Sequence, residues 1–263
     1  MKKSIFAIKE DINPDLRTVL TIVPFVLFLV GWCVLSYGNL VNPLFLPTPT
    51  QVIKTGVEMF TADAFWKDAL TSLSRVLLGF LFSTLFAIPL GILAGSFKFF
   101  DSLIAPFVGF IRYMPAAAFI PLLILWIGIG LSQKIAILFI SIFFYLVLMV
   151  SDATANVRKD FIETAYTLGA SKRQTLFKVI VPAALPGIWE SMRVMMGIGW
   201  TTIVIVELVA TRTGIGSVII EAQRFMRTDK IIVGILTIGI LGILSDFSFR
   251  YLGNLFFDWK KNG

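Results

Sequence analysis

The chain has no histidine and a single cysteine among its 263 residues. The first absence excludes histidine-based triads, histidine metal sites and imidazole proton relays. The second excludes an internal disulfide or a cysteine cluster, and Cys33, set in an apolar run, reads as a small buried hydrophobe. Charge is also scarce: 15% of residues are charged, against about 25% in soluble domains. Phosphate-binding loops are missing, because no Gly-x4-Gly-Lys-Ser/Thr run exists and Gly169-Ala170-Ser171-Lys172 lacks its spacing. The pairs Gly128-x-Gly130, Gly197-x-Gly199 and Gly214-x-Gly216 lack the third glycine of a dinucleotide loop. What the chain does have is apolar surface. Hydrophobic residues make up 57% of it, with 25 Phe and 6 Trp, and mean hydropathy is +0.88. So few charges cannot cover a globular surface, and the chain must face lipid.

A helix crosses the hydrocarbon core with about 20 mostly apolar residues. Six stretches qualify: 19–37, 73–95, 103–128, 134–150, 185–206 and 231–253. The expectation is an all-α integral membrane protein of six transmembrane helices. One membrane domain, 19–253, is flanked by a leader, 1–18, and a tail, 254–263. The leader mixes charge signs and no small-x-small site follows the first apolar run, so the first span is expected to be retained.

Placing both termini in the cytoplasm puts twelve basic residues in inner segments, seven in outer ones and four in or near spans, the full 23. That asymmetry favours the orientation and explains the net charge of +7 without nucleic acid. Four of the outer charges crowd into 211–230, which leaves open whether that segment is external or part of a gate. After the first span, Thr50 is expected to cap an amphipathic helix with Val52, Ile53, Val57 and Phe60 on one side.

Between the fourth and fifth spans lies an elbow, 158–182. Asp160 stands three residues before Glu163, a capping-box spacing, and Gly169 follows Leu168 where a left-handed residue would end the helix. Ser171 and Gln174 repeat the capping box, and Pro182 is expected to stop the second helix. Two capped helices meeting at a glycine make a rigid projection. The run Glu163-Thr164-Ala165, three residues, Gly169, nine residues, Val179-Ile180-Val181-Pro182 closely resembles the EAA motif of ABC importer permeases. Thr164, Val179 and Val181 replace the Ala, Ile and Leu of that pattern, all mild changes. Leu46-Pro47-Thr48-Pro49, Ser72–Phe80, Ile111-Arg112-Tyr113-Met114-Pro115 and Glu207 followed by Gly214-Ile215-Gly216 resemble the nitrate/sulfonate/taurine branch in the same order.

The resemblance implies a type I ABC importer permease fold in a bacterial inner membrane, with the elbow as a cytoplasmic coupling helix. Glu163, Thr164, Ala165, Gly169, Ala170 and Pro182 would carry ATPase coupling. Two cytoplasmic ATPase subunits, a second permease copy in a homodimer and an external substrate-binding protein would be the partners. The chain itself would bind no cofactor or metal and have no catalytic residue, ATP being bound by the ATPases. The solute would be a small anion such as nitrate, a sulfonate, taurine or bicarbonate. Candidate pathway residues are Arg112, Tyr113 and Met114 in the third span and Thr201, Thr202 and Glu207 in the fifth. Arg112 could instead serve the structure, bonding carbonyls freed by Pro115 or snorkelling toward headgroups. Arg75 and Arg250 are expected to snorkel from span ends, and Arg193 to pair with Glu190. The alternative is an ion-coupled secondary transporter, which would need intramembrane carboxylates or broken-helix ion sites; Glu190, Glu207 and Asp246 are the carboxylates near membrane depth.

Overall fold

The structure, a computed structural model, describes residues 13–209 and 212–257. Among the described residues, five helices are long and apolar enough to cross a membrane, and a broken pair makes six if counted as one span. Much of the expected leader and tail, including Lys2, Lys3, Lys9, Lys260 and Lys261, lies outside the described residues, as does Thr211.

Helix α1 (Pro14–Tyr37) begins inside the expected leader, capped by the Asn13 side chain on the Asp15 N–H. Its apolar sides are exposed nearly throughout. Trp32 Nε1 donating to the Pro47 carbonyl at 2.9 Å and Tyr37 Oη donating to Thr50 Oγ1 at 2.9 Å tie its far end to the rest.

Helix α2 (Pro49–Thr61) starts two residues earlier than expected, with Thr48 as N-cap. Proline at the first helical position costs no hydrogen bond and presets φ, so Pro49 draws the start back. Its packing face also differs. Val52, Thr55 and Met59 are buried, whereas Ile53, Val57 and Phe60 are exposed. A polar contact sets the rotation: Thr55 Oγ1 donates to Asp229 Oδ2 at 2.8 Å.

The core is built from α3 (Trp66–Ser96), α6 (Leu131–Ala155) and α9 (Val181–Leu208). Lipid tails are as apolar as leucine, so helices in a bilayer associate through close packing rather than burial from water. Small residues supply it here. A Cβ at Gly79 would lie 2.5 Å from Leu138 Cβ, and one at Gly91 would lie 2.6 Å from Val150 Cβ. Gly91 and Gly95 thus serve contact within the chain. The fourth span is longer than the expected 134–150 because Gln133 and Lys134 are buried inside α6, with Lys134 Nζ donating to the Gly130 carbonyl at 3.3 Å.

The third span is broken. Helix α4 (Lys98–Ile111) ends at Arg112, and a short helical turn then leads to α5 (Ile120–Ile127), with an 82° bend between the arms. Pro115 has no N–H and disfavours helical geometry at Met114, which accounts for the break. The elbow holds α7 (Lys159–Thr167) and α8 (Lys172–Thr175) and leads into α9. At the opposite end of α9, α10 (Ile215–Arg224) precedes α11 (Thr228–Phe256), which runs back through the expected tail boundary at residue 254. Much of the charge crowding at this end is paired: Arg227 with Asp229 at 2.8 Å and Lys230 with Asp63 at 2.7 Å.

Candidate functional site

Helix α7 does not begin as the capping-box spacing predicted. Its N-cap is Arg158, with no side-chain cap, because Asp160 accepts from Arg158 Nη2 at 2.7 Å instead. That bond holds the Asp160 carboxyl below its usual range. Its end agrees with the expectation in detail. Gly169 has φ +80°, its N–H donates to the Tyr166 carbonyl, and the Ala170 N–H donates to the Ala165 carbonyl, each at 2.9 Å. This pair of bonds is the Schellman closure, and the positive φ favours glycine. A Cβ at Gly169 would meet nothing within 4 Å, so the constraint is on backbone conformation, not on space.

Across the turn, Gln174 N–H donates to Ser171 Oγ at 3.3 Å and Ser171 N–H to Gln174 Oε1 at 2.8 Å, a complete capping box. Pro182 does not stop the chain. A single π-type turn over Leu176–Ile180 shifts the hydrogen-bond register so that Pro182 falls in the first turn of α9, where its missing N–H is harmless. The run Lys172–Leu208 is therefore helical over 37 residues. On the elbow, Ala165 is buried while Glu163, Thr164 and Gly169 face outward and Ala170 is half-buried. Glu163 makes no ion pair among the described residues. Phe161, Tyr166, Leu168 and Phe177 are exposed beside it, Leu168 to 81%.

The third-span candidates sit at the 82° break. Arg112 Nη2 donates to Tyr113 Oη at 3.0 Å with the guanidinium 4.9 Å from the ring centre, and Tyr145 Oη donates to the Arg112 carbonyl at 2.9 Å. Among the described residues no carbonyl accepts from the Arg112 side chain, and its buried Nε has no partner there. Among the described residues no carboxylate pairs with it. Tyr113 and Met114 are exposed. On α9, Thr201 is exposed and donates to the Ile198 carbonyl, while Thr202 is half-buried. No hydrogen bond joins the two groups within the described chain.

Glu207 is different. Rather than facing a cavity, it is buried at the last turn of α9, where Arg75 Nη1 donates to its Oε1 at 2.6 Å. Ser72 Oγ stands 2.8 and 2.9 Å from its two oxygens. Arg75, expected to snorkel, is buried too, and donates to the Thr213 carbonyl and Thr213 Oγ1 at 2.8 Å each. A buried carboxylate needs a partner more than it needs a cavity, and Arg75 lies one helix away. The other intramembrane carboxylates are also paired: Glu190 with Arg193, and Asp246 with both Arg193 at 3.3 Å and Arg250 at 2.7 Å.

Residues 87–256 match the model of the family described as binding-protein-dependent transport system inner membrane component. The chain belongs to that family. It is 32% identical over 248 residues to the taurine transport system permease protein of Escherichia coli, covering 92% of this chain and 90% of that one. It is 28% identical over 242 residues to the nitrate import permease protein of a Synechocystis species, covering 89% and 87%. A chain of the inward-facing MetNI methionine ABC transporter shares the fold with a TM-score of 0.65 at 20% identity, covering 74% of this chain and 98% of that one. The chain is thus a multi-pass inner-membrane permease component of a binding-protein-dependent, ABC-type importer.

Proposed function

We propose that two copies of this permease form a pathway for a small oxyanion, with the elbow of each copy seated on an ATPase subunit. The observation that carries the anion reading is Arg112, an arginine at a helix break with no carboxylate partner among the described residues and an unbonded buried Nε. At about 1.5 Å per residue, α4 places it roughly 20 Å from Lys98, beyond the middle of a 30 Å hydrocarbon core. A guanidinium there is suited to planar or tetrahedral oxyanions through charge-assisted hydrogen bonds. The sulfonate of taurine and nitrate are both oxyanions, which supports the same class. Tyr113, Met114, Thr201 and Thr202 complete the candidate pathway.

Coupling is assigned to Glu163, Thr164, Ala165, Gly169, Ala170 and Pro182. The elbow's backbone is closed locally, so its exposed Leu168 and the unpaired Glu163 remain for another chain. Both termini and the elbow are placed in the cytoplasm, and ATP is bound by the partner ATPases rather than here. Pairing of Glu190, Glu207 and Asp246 with arginines argues against an ion-coupled carrier, whose carboxylates must exchange their ion.

The test is uptake into membrane vesicles carrying the permease, its cognate ATPase and the binding protein. Uptake is expected to follow trapped ATP and survive collapse of the proton gradient. Uptake that follows the gradient and ignores ATP would refute the assignment.

A further inference from the structure

We infer that Glu207 and Arg75 are positioning residues that anchor α10 to the far end of the helix that starts at the elbow, making one rigid connection between the two ends of the molecule. The inference rests on the transport function proposed above.

Three features converge on it. The first is continuity. The helical run Lys172–Leu208 covers 37 residues, roughly 55 Å at 1.5 Å per residue, and carries the elbow's second helix at one end and Glu207 at the other. The second is how α10 is held. A ten-residue helix is too short to be stable alone, and the N–H groups of its first turn have no partners within the helix. Here they are met from other helices. Gly214 N–H donates to Asp68 Oδ1 at 2.6 Å, Ile215 N–H to Ser72 Oγ at 2.9 Å, and Gly216 N–H to Glu207 Oε2 at 2.9 Å. Asp68 and Ser72 belong to α3 and Glu207 to α9, so α10 cannot shift without breaking bonds to both. Two carboxylates at its N-terminus also oppose the positive end of its dipole.

The third feature is steric. Gly214 has φ +102°, and a Cβ there would come within 2.5 Å of the Glu207 carboxyl carbon. A Cβ at Gly216 would lie 2.6 Å from Glu207 Cβ. The backbone of α10 therefore closes directly over the buried carboxylate. Glu207 is 1% exposed and has no access to a solute in this conformation. Its influence on transport runs through α10, whose Glu221 and Arg224 are exposed at the end of the molecule opposite the elbow. Any partner that presses on α10 acts on α9 through this carboxylate, and motion of the elbow reaches α10 by the same route.

The experiment uses the complete complex of permease, ATPase and binding protein in lipid vesicles, and reads ATP hydrolysis with and without the binding protein. In the Glu207→Ala complex that assembles, basal hydrolysis per complex is expected to stay near wild type while the stimulation by binding protein falls about tenfold, in the usual range of coupling between two sites. Thr213→Val, which removes one hydrogen bond to Arg75 and keeps the ion pair, is expected to lower stimulation about threefold. It decides the matter if Glu207→Ala does not assemble. Unchanged stimulation in Thr213→Val, or parallel loss of basal and stimulated hydrolysis in assembled Glu207→Ala, would overturn the anchor while the transport function stands. A wild-type complex that the binding protein does not stimulate would overturn both.

Discussion

The elbow and α10 stand at opposite ends of α9 and solve the same problem in opposite ways. Each must satisfy the backbone groups of a short helix outside the long spans. The elbow does so within itself, through the Schellman closure at Gly169 and the capping box of Ser171 and Gln174. α10 is closed from outside, by Asp68, Ser72 and Glu207. The difference is functional. A helix closed by its own neighbours keeps its outward side chains for another subunit, whereas a helix closed by the core reports on the core.

The comparison can be broken at several points. Gly169→Asp is expected to have the largest effect: insertion unchanged, since the site is open, and uptake lowered by about two orders of magnitude. Quantifying the variant in membranes beside its ATP-driven uptake checks this, and near-normal uptake by an assembled complex would contradict it. Glu207→Ala strands a buried Arg75 and is expected to cost about 3–5 kcal/mol of stability, read by denaturant unfolding in detergent. Replacing Arg75 and Glu207 together with methionine is expected to recover most of that loss, because no unpaired charge remains. On the proposed pathway, Arg112→Gln takes away a charged contact to the solute and is expected to raise the KM of uptake about tenfold with little change in protein level. The smallest effect belongs to Ser171→Ala, about 1 kcal/mol from a lost cap on the elbow, visible as a modest drop in unfolding midpoint.

The elbow was the most legible part of the chain because its signals are local. Ser171 and Gln174 are three apart, and Gly169 directly follows the helix it ends. Even there, the capping-box spacing of Asp160 misleads, since Arg158 competes for its carboxylate two residues away. Pro182 does not act as the stop its residue type suggests, because a π-type turn absorbs it, a register shift with no sequence signature of its own. The third span read as one apolar stretch, although Pro115 held the information that it breaks. At the far end, Glu207 and Gly214-x-Gly216 were visible as a pattern, and Arg75 as a charge near a span end. Their contact was not, because 132 residues separate the ion pair and hydropathy counts both as isolated charges. The rotation of α2 was hidden for the same reason: Thr55 faces inward to meet Asp229, 174 residues away.

The most direct test is thiol cross-linking from the elbow. With Cys33→Ala removing the native thiol and Leu168→Cys placed on the most exposed apolar residue of the elbow, a short cross-linker is applied to membranes holding the full complex. The predicted result is a covalent adduct with the ATPase subunit that Phe225→Cys, just beyond α10, does not give. An adduct with the ATPase from Phe225→Cys and none from Leu168→Cys would contradict the account.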